Sequence, residues 1–413
     1  MTQIHLSRTA VAWVISFLLA TVVEGAGNRT VSGESNDPPY TVEEALADLK
    51  SRDKKRVEQA LLFLHEPKSL QDQTASVKQE AATALIPFLW TEKKQITFRI
   101  LGRIGPEAKV AIPHLIKMLR RDSGDFDAGG GAQYVLRRIG KDAEIAIPIL
   151  IESSARFYFG AFDDPHYRQM LPVTLTAISP NNPMVRKYLR NSLKDENEGV
   201  CVTAAYELWN LGERIPEIRM AFTRAQNAED PNSRSLLAVK AVFLAQTAPE
   251  FLSFALARLN DPSEHVRSNT IVALNAGNFL QPEAVEAYRR RLADDDWYIR
   301  CCACNGLEKM GRHAIAAVPS LKKCLQDKDG FVRVSCARAI YKIDPSTTPL
   351  AVKALSDALG VSGNDIRETA ANELAEIGPA AIEALPALDI STRDYSRSIR
   401  QAAERAIQKI KKK

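Results

Sequence analysis

Apolar and polar positions alternate along most of this chain in a pattern that recurs every 33 or 34 residues. The dipeptide Val-Arg or Ile-Arg marks the recurrence, and its arginine stands at Arg267, Arg300, Arg333, Arg367 and Arg400. The positions seven and ten residues after this marker are apolar in almost every repeat. Since such spacings place side chains on one face of an α-helix, each marker is predicted to open an amphipathic helix.

The apolar position seven residues after the marker, or after the residue in its place, keeps its phase far beyond the five marked repeats. The row reads Leu101, Leu136, Leu175, Leu208, Ala241, Leu274, Leu307, Ile340, Leu374 and Ile407. The position three residues after the marker is mostly small, which allows neighbouring helices to pack closely. A periodicity of this kind is typical of a stack of repeated helical units.

Each of these helices is predicted to stop on a residue that tolerates a left-handed backbone. The position eleven residues after the marker holds Gly105, Gly140, Gly212, Gly311 and Gly378, with Asn278 and Asp344 in the same place in two other repeats. Another helical pattern follows, which is the first helix of a pair, so the helices that begin at the markers are the second helices. In four repeats this first helix contains a proline that would bend it: Pro113, Pro148, Pro319 and Pro386. The sequence therefore predicts one helix pair per repeat and an all-α chain.

Two segments resemble the HEAT-repeat family, including the bending proline and the Asp…Val-Arg ending: LGRIGPEAKVAIPHLIKML and LEKMGRHAIAAVPSLKKCLQDKDGFVRVSCARAI. The resemblance covers roughly residues 41–411. It implies a right-handed α-solenoid of about ten to eleven helix pairs, with the second helices lining the concave side. The N-terminal repeats depart from the pattern, because Lys94 and Gly129 occupy the arginine position.

In the HEAT-repeat family, the aspartate and the arginine form a ladder of hydrogen bonds between adjacent repeats. An aspartate stands six positions before the arginine in four of the five marked repeats. The resemblance therefore assigns a structural ladder to these residues: Asp261, Arg267, Asp294, Arg300, Asp327, Arg333, Arg367 and Arg400.

The first residues of the chain read as a secretory signal peptide. Arg8 precedes an uncharged apolar run from Ala10 to Val23, and the small residues Gly25 and Ala26 follow. We predict a signal peptide at 1–26, a polar flexible leader at 27–40 and a single elongated repeat domain at 41–413. The expected location is secreted or periplasmic, with no stable membrane span after signal cleavage.

The formal net charge of +5 at pH 7 does not indicate a nucleic-acid partner. Five basic residues lie within the last nine positions: Arg405, Lys409, Lys411, Lys412 and Lys413. The rest of the chain is therefore close to neutral, and export would also separate the protein from chromosomal DNA.

No pattern of catalytic residues, metal ligands or cofactor motifs stands out. The histidines share no repeat position and no ligand spacing, so we expect no metal site and no cofactor. The best chemical lead is a group of cysteines: Cys301, Cys302, Cys304, Cys324 and Cys336. Buried structural thiols are the main interpretation. A disulfide remains an alternative, and so does a redox site, because a C-x-x-C at a helix N-terminus would lower a thiol pKa.

On the second helices, the residues predicted to face away from the protein core change in polarity along the chain. They are polar or charged in the outer repeats and become apolar or aromatic in the middle, which indicates a binding groove. The candidate residues are Tyr134, Tyr206, Trp209, Val239, Val242 and Phe243. The alternative is that some of them pack against the following repeat. A second candidate is the aromatic insertion at 157–167, which could equally be a loop packed over an irregular joint.

These observations favour a non-enzymatic scaffold that binds a protein or an extended peptide outside the cytoplasm along its concave face. The alternative is an accessory enzyme or chromophore-handling protein, since some HEAT-like proteins resemble bilin lyases. That function would need the aromatic insertion or the cluster around Cys301.

Overall fold

The computed structural model describes residues 40–120, 126–159 and 165–412. The predicted signal peptide, and the predicted leader except for Tyr40, lie outside these ranges. Within them every regular element is an α-helix or a 3₁₀ helix, so the prediction of an all-α chain built from helix pairs is confirmed. None of the described helices is long and apolar enough to cross a membrane. The handedness of the solenoid stays a prediction.

The helices form two compact units, of which the first ends at Val185. Its helices are α1 (Val42–Asp48), α2 (Lys54–His65), α3 (Ala75–Leu85), α4 (Lys94–Ile104), α5 (Ile112–Arg120), α6 (Phe126–Ile139), α7 (Ile147–Phe159) and α8 (Pro165–Ile178). The second helices of successive pairs, α2, α4, α6 and α8, pack side by side.

The second unit spans Arg186–Lys413 and begins within α9 (Pro183–Ser192). It continues with α10 (Glu198–Asn210), α11 (Pro216–Ala225), α12 (Pro231–Ala245), α13 (Leu252–Arg258), α14 (Glu264–Ala276), α15 (Pro282–Arg291), α16 (Trp297–Met310), α17 (Val318–Cys324), α18 (Gly330–Ile343), α19 (Thr348–Ala358), α20 (Asn364–Ile377), α21 (Leu385–Ser391) and α22 (Arg397–Lys411). The second helices α10, α12, α14, α16, α18, α20 and α22 pack one against the next.

The predicted core row lies in the interior of both units. Every member of the row from Leu101 to Leu374 is at most 1% exposed, and only Ile407 is half-buried. Burying a Leu or Ile side chain contributes about 1.5–3 kcal/mol. Since each repeat buries this stripe against its neighbours, the regular period in the sequence becomes a continuous core along each unit.

The predicted left-handed backbone is confirmed at the five glycines, but not at the Asn and Asp residues that take the same place in two repeats. Positive φ angles occur at Gly105, Gly140, Gly212, Gly311 and Gly378, with values from 54° to 87°. No described residue other than glycine has a positive φ, so Asn278 and Asp344 end their helices in another way. Asp344 has a φ of −135° and accepts a hydrogen bond from the backbone N–H of Ser346. Its side chain thus caps the next turn of helix.

The prolines act at the start of an α-helix. In four repeats a 3₁₀ segment runs from the left-handed glycine to an alanine, and the α-helix then begins one residue before the proline. A proline in the first turn of an α-helix removes a donor that has no partner there in any case. The predicted bend is therefore a change from 3₁₀ to α geometry.

Candidate functional site

The predicted ladder consists of arginines that each bind two loops. Arg267 donates from Nε and Nη2 to the carboxylate of Asp294, at 2.9 and 3.0 Å. Its Nη1 donates to the main-chain carbonyl oxygens of Asp261 and Pro262 in its own loop. One side chain therefore ties the loop before its own helix to the loop of the next repeat.

The same bidentate geometry recurs in three other places. The pairs are Arg234 with Asp261, Arg300 with Asp327 and Arg367 with Asp394, at distances between 2.8 and 3.2 Å. In each pair the carboxylate lies 27 residues beyond the arginine. Paired planar groups of this kind are directional, and they fix the register between consecutive repeats.

The pKa values of the ladder aspartates are lowered, although two of these residues, Asp261 and Asp294, are buried. The side chain of Asp261 is 0% exposed. Burial raises its pKa, but the hydrogen bonds from Arg234 and the backbone N–H of Ser263 outweigh that effect and leave the pKa lowered. Arg258 also contacts this carboxylate at 3.3 Å, and Arg291 contacts Asp294 at 3.0 Å. Sequence reasoning missed these two arginines, although their spacing three residues before the aspartate was a usable signal.

The ladder is incomplete at two predicted positions. Arg333 donates to the carbonyl oxygens of Asp327 and Lys328, and Arg400 makes the equivalent two bonds. Among the described residues neither has a carboxylate partner of the ladder type. For Arg333 the reason is in the sequence, because Val361 occupies the place that an aspartate takes in the other repeats. The assignment of Arg333 and Arg400 as aspartate-binding rungs was therefore wrong.

In one repeat the ladder arginine is absent, and an arginine from a later helix binds the loop instead. Cys201 stands in the arginine position and Ala228 in the following aspartate position. Arg224 of α11 reaches back, donates to the carbonyl oxygen of Asp195 and lies 2.8 Å from the sulfur of Cys201. Burial raises the pKa of the Cys201 thiol to about 11. The loop carbonyl that an arginine binds elsewhere is thus still bound by an arginine.

The predicted groove residues of the second unit lie along α10 and α12. Tyr206, Trp209, Val239 and Phe243 are half-buried, whereas Val242 is only 1% exposed and belongs to the core. The prediction for Val242 was wrong, because α12 is buried on an unusually wide face. We call the other four residues, together with the half-buried Val272 of α14, the apolar strip.

Cations cover part of the apolar strip. The ammonium group of Lys240 lies 4.0 Å from the ring centroid of Tyr206, and the guanidinium of Arg214 lies 3.8 Å from that of Trp209. Trp209 also packs edge-on against Phe251, with ring centroids 4.8 Å apart. Its indole is therefore shared between the surface and the core, and the alternative of packing against the following repeat holds for this residue.

Tyr134 lies in the first unit and is also half-buried. A Cβ atom placed on Gly102 of α4 would lie 2.1 Å from its ring. The tyrosine thus fills the space that the glycine leaves between α4 and α6. The apolar strip is confined to the second unit, and Tyr134 is not among its residues.

The second-helix face continues into a charged network on α16, α18 and α20. Arg338 donates to Glu308 and Asn305 at 2.6 Å and to Glu373 at 3.2 Å. Lys342 donates to the other oxygen of Glu308 at 2.6 Å. The face formed by the second helices therefore has two chemically distinct parts, the apolar strip and the charged network. Within the network, the contacts of Arg338 join neighbouring helices.

The cysteines do not form the reactive site that their spacing suggested. All six described cysteines are buried, and none of them forms a disulfide bond. Cys301 is the fifth residue of α16, beyond the first helical turn, and burial raises the pKa of its thiol to about 12. The alternative of a redox site with a lowered thiol pKa therefore has no support at Cys301. The sulfurs of Cys304 and Cys336 lie 2.8 Å apart.

Two further kinds of site were considered in the sequence, metal ligands and the aromatic insertion. No group of three or more His, Cys, Asp or Glu residues that could hold a metal ion is found among the described residues. The side chains of the aromatic insertion at 157–167 lie outside the described residues.

A family model supports the assignment of the repeats. Residues 252–341, which run from α13 into α18, match the model of HEAT repeats. This segment of the chain consists of HEAT repeats. The match falls where three marker arginines follow one another at regular spacing, Arg267, Arg300 and Arg333.

Importins are among the solved structures that resemble this chain. The chain is similar to yeast importin-beta, Kap95p, with a TM-score of 0.53 and 14% identity, over 90% of this chain and 56% of that one. Kap95p in a study of its binding to RanGDP gives a TM-score of 0.55 at 13% identity, over 90% and 55% of the two chains. The Kap95:Nup1 complex gives 0.53 at 14%, over 90% and 56%.

At these identities the likeness shows the fold alone. The chain spans about half the length of the importin chains that it matches. A sequence search among curated proteins finds no match to it. Its function must therefore be argued from its own surfaces.

One substitution is expected to supply the carboxylate that Arg333 lacks in the ladder. Val361→Asp would place a carboxylate opposite Arg333 and is expected to stabilise the protein by about 0.5–1.5 kcal/mol, the net value of one hydrogen-bonded rung. Denaturant unfolding followed by circular dichroism measures the change. In an Arg333→Met background the gain should disappear. An equal gain in both backgrounds would show that the carboxylate does not reach Arg333.

Proposed function

We propose that this protein is a non-enzymatic scaffold that binds a protein or an extended peptide across the second-helix face of its second unit. The observation that carries the proposal is the apolar strip on α10, α12 and α14, which borders the charged network around Arg338. Tyrosine, tryptophan and arginine are the residues that most often contribute strongly to protein interfaces. A partner segment could place apolar side chains on the strip and polar groups on the network.

The ladder supports this function by holding the face in one arrangement. Each guanidinium fixes the spacing between two loops, and the cross-helix contacts of Arg338 fix the helices themselves. A binding surface that is ordered before the partner arrives loses less conformational entropy on association. Rigidity of the repeats therefore favours affinity.

The similar structures also support a binding role. They include Kap95p from a study of its binding to RanGDP and a complex of Kap95 with Nup1. Those partners belong to those proteins. What we carry over is the general use of stacked helix pairs as a surface for other proteins.

We further propose that the protein works outside the cytoplasm, in a secreted or periplasmic form. The support is the apolar run from Ala10 to Val23 followed by small residues. Sequencing the N-terminus of the protein recovered from its source tests this location. A mature chain that starts near Gly27 in the exported fraction is expected, and an intact Met1 in the cytoplasmic fraction would contradict it.

The alternative function as an accessory enzyme has less support. Burial raises the pKa of Cys301 and of Cys302, which disfavours these two thiols as nucleophiles. The side chains of the aromatic insertion at 157–167 lie outside the described residues, so the scaffold has the better support.

The binding proposal is tested with two matched double variants. Tyr206→Ser/Phe243→Ser removes two rings from the apolar strip, and Met220→Ser/Ile315→Ser removes two more exposed apolar side chains from the first-helix side. Partners that co-purify with the wild-type protein should be lost by at least tenfold with the first variant, which corresponds to about 1.4 kcal/mol, and retained with the second. Thermal unfolding shows whether both variants are folded. Equal retention by both would refute the strip as the binding site.

A further inference from the structure

Three cysteine sulfurs meet between two consecutive repeats. Cys304 lies on α16, Cys336 lies on α18, and Cys324 is the last residue of α17. The sulfur of Cys336 lies 2.8 Å from that of Cys304 and interacts with the thiol of Cys324, which itself donates to the carbonyl oxygen of Leu292 at 3.7 Å. Cys304 and Cys336 are 0% exposed, whereas Cys324 is 8% exposed. Cys336 is thus at the centre of the cluster and Cys324 at its rim.

We propose that Cys304 and Cys336 are a disulfide-forming pair that joins two successive repeats covalently, with Cys324 as the thiol through which oxidation enters. The two sulfurs need to approach by only about 0.8 Å to reach the length of a disulfide bond. Because they lie on adjacent second helices, the bond would fix the spacing between α16 and α18.

The other cysteines have different surroundings. Cys302 hydrogen-bonds to Tyr298, and Cys301 to Ser335. Cys201 lies at a different repeat, against Arg224. The geometry therefore selects one pair out of six thiols.

The reaction is thiol–disulfide exchange with an external disulfide, such as glutathione disulfide. Cys324 loses its proton to solvent and attacks one sulfur of the reagent, which releases the first glutathione thiol. Cys336 then displaces the second glutathione from Cys324, and Cys304 attacks Cys336 and returns Cys324 to the thiol form. The protein loses two thiol protons and two electrons, and the reagent takes them up and leaves as two thiols.

The acidity of the thiols agrees with this order. The hydrogen bond from Cys336 lowers the pKa of Cys324, whereas burial raises the pKa of Cys336 well above its usual range. The thiol at the rim is therefore the one that forms the attacking thiolate more readily. The final bond lies between the two fully buried sulfurs, where a reductant has little access.

The bond would act on the proposed binding face. The helix α16 carries Asn305 and Glu308, and α18 carries Arg338, which binds both of them. The proposal depends on the location outside the cytoplasm only for its oxidant. A purified protein supplied with glutathione disulfide tests it whether or not the binding proposal holds.

The test is peptide mapping of the folded, full-length protein after incubation with glutathione disulfide, with free thiols alkylated before digestion. The expected result is one internal bond, Cys304–Cys336, with the other four cysteines alkylated and an unfolding midpoint raised by several degrees. Cys324→Ser should give the same bond at a rate at least tenfold lower, and Cys201→Ser should change neither rate nor product. No internal disulfide after prolonged oxidation, or a stable bond between any other pair, would overturn the proposal.

Discussion

Replacing Arg300 by methionine is expected to destabilise the protein by about 3–5 kcal/mol, because removal of one partner leaves a poorly solvated charge behind. The side chain of Arg300 is 5% exposed and that of Asp327 is 12% exposed. The substitution would also leave the carbonyl oxygens of Asp294 and Asp295 without their donor. Unfolding in guanidinium chloride, followed by circular dichroism, measures the loss.

The chain supplies its own control for this prediction. Arg333 binds the equivalent pair of carbonyl oxygens and has no ladder carboxylate. Arg333→Met should therefore cost only about 0.5–1.5 kcal/mol, the net value of ordinary hydrogen bonds. If the two variants lose the same stability, the carboxylate rung contributes nothing and the ladder has no energetic role.

Replacing Gly306 by alanine is the second large effect, with an expected loss of about 1–3 kcal/mol from overpacking. A Cβ atom on this residue would lie 2.3 Å from Cε1 of Tyr288 and 2.7 Å from Oδ1 of Asn275. Tyr288 is 2% exposed and is surrounded by core residues, so its ring cannot move aside freely. The same unfolding measurement applies.

Gly130 is the matched control for this substitution. It also lies inside a second helix, α6, and nothing lies within 4 Å of its Cβ position. Gly130→Ala should therefore stabilise the protein by about 0.5–1 kcal/mol, since alanine is the better helix former. The two substitutions are expected to have opposite signs, and a stabilised Gly306→Ala would contradict the tight packing described for α16.

Much of the fold could be predicted because the repeat imposes the same physical demand many times. The apolar row is buried from Leu101 to Leu374, and left-handed glycines end the helices that the sequence marked. The rungs Arg267–Asp294 and Arg300–Asp327 follow from a resemblance whose spacing is regular.

Features that depend on a single repeat could not be predicted in this way. Val242 shares the period of a surface position, but α12 is covered on a wide face and buries it. Arg333 has the marker sequence and lacks a partner because Val361 replaces the aspartate. The spacing of Cys301 and Cys304 fits a reactive motif, yet the thiol lies too far into α16 for the helix N-terminus to lower its pKa.

The pairing of the ladder arginines with aspartates explains why a row of arginines need not bind nucleic acid. The guanidinium groups of Arg234, Arg267, Arg300 and Arg367 each contact a carboxylate within the protein. Phosphate recognition needs cations that are free to exchange their counterions. The ladder therefore contributes to the packing of the repeats, and the candidate binding chemistry remains on the second-helix face.

The most direct test of the central claim is site-specific photo-crosslinking on the two sides of the second unit. A photoreactive phenylalanine analogue is placed at Tyr206 or Phe243 on the apolar strip, or at Met220 on the first-helix side, where the native side chain is 65% exposed. The account predicts that a partner protein is crosslinked from Tyr206 and Phe243 and not from Met220. Crosslinking from Met220 alone, with none from the strip, would contradict it.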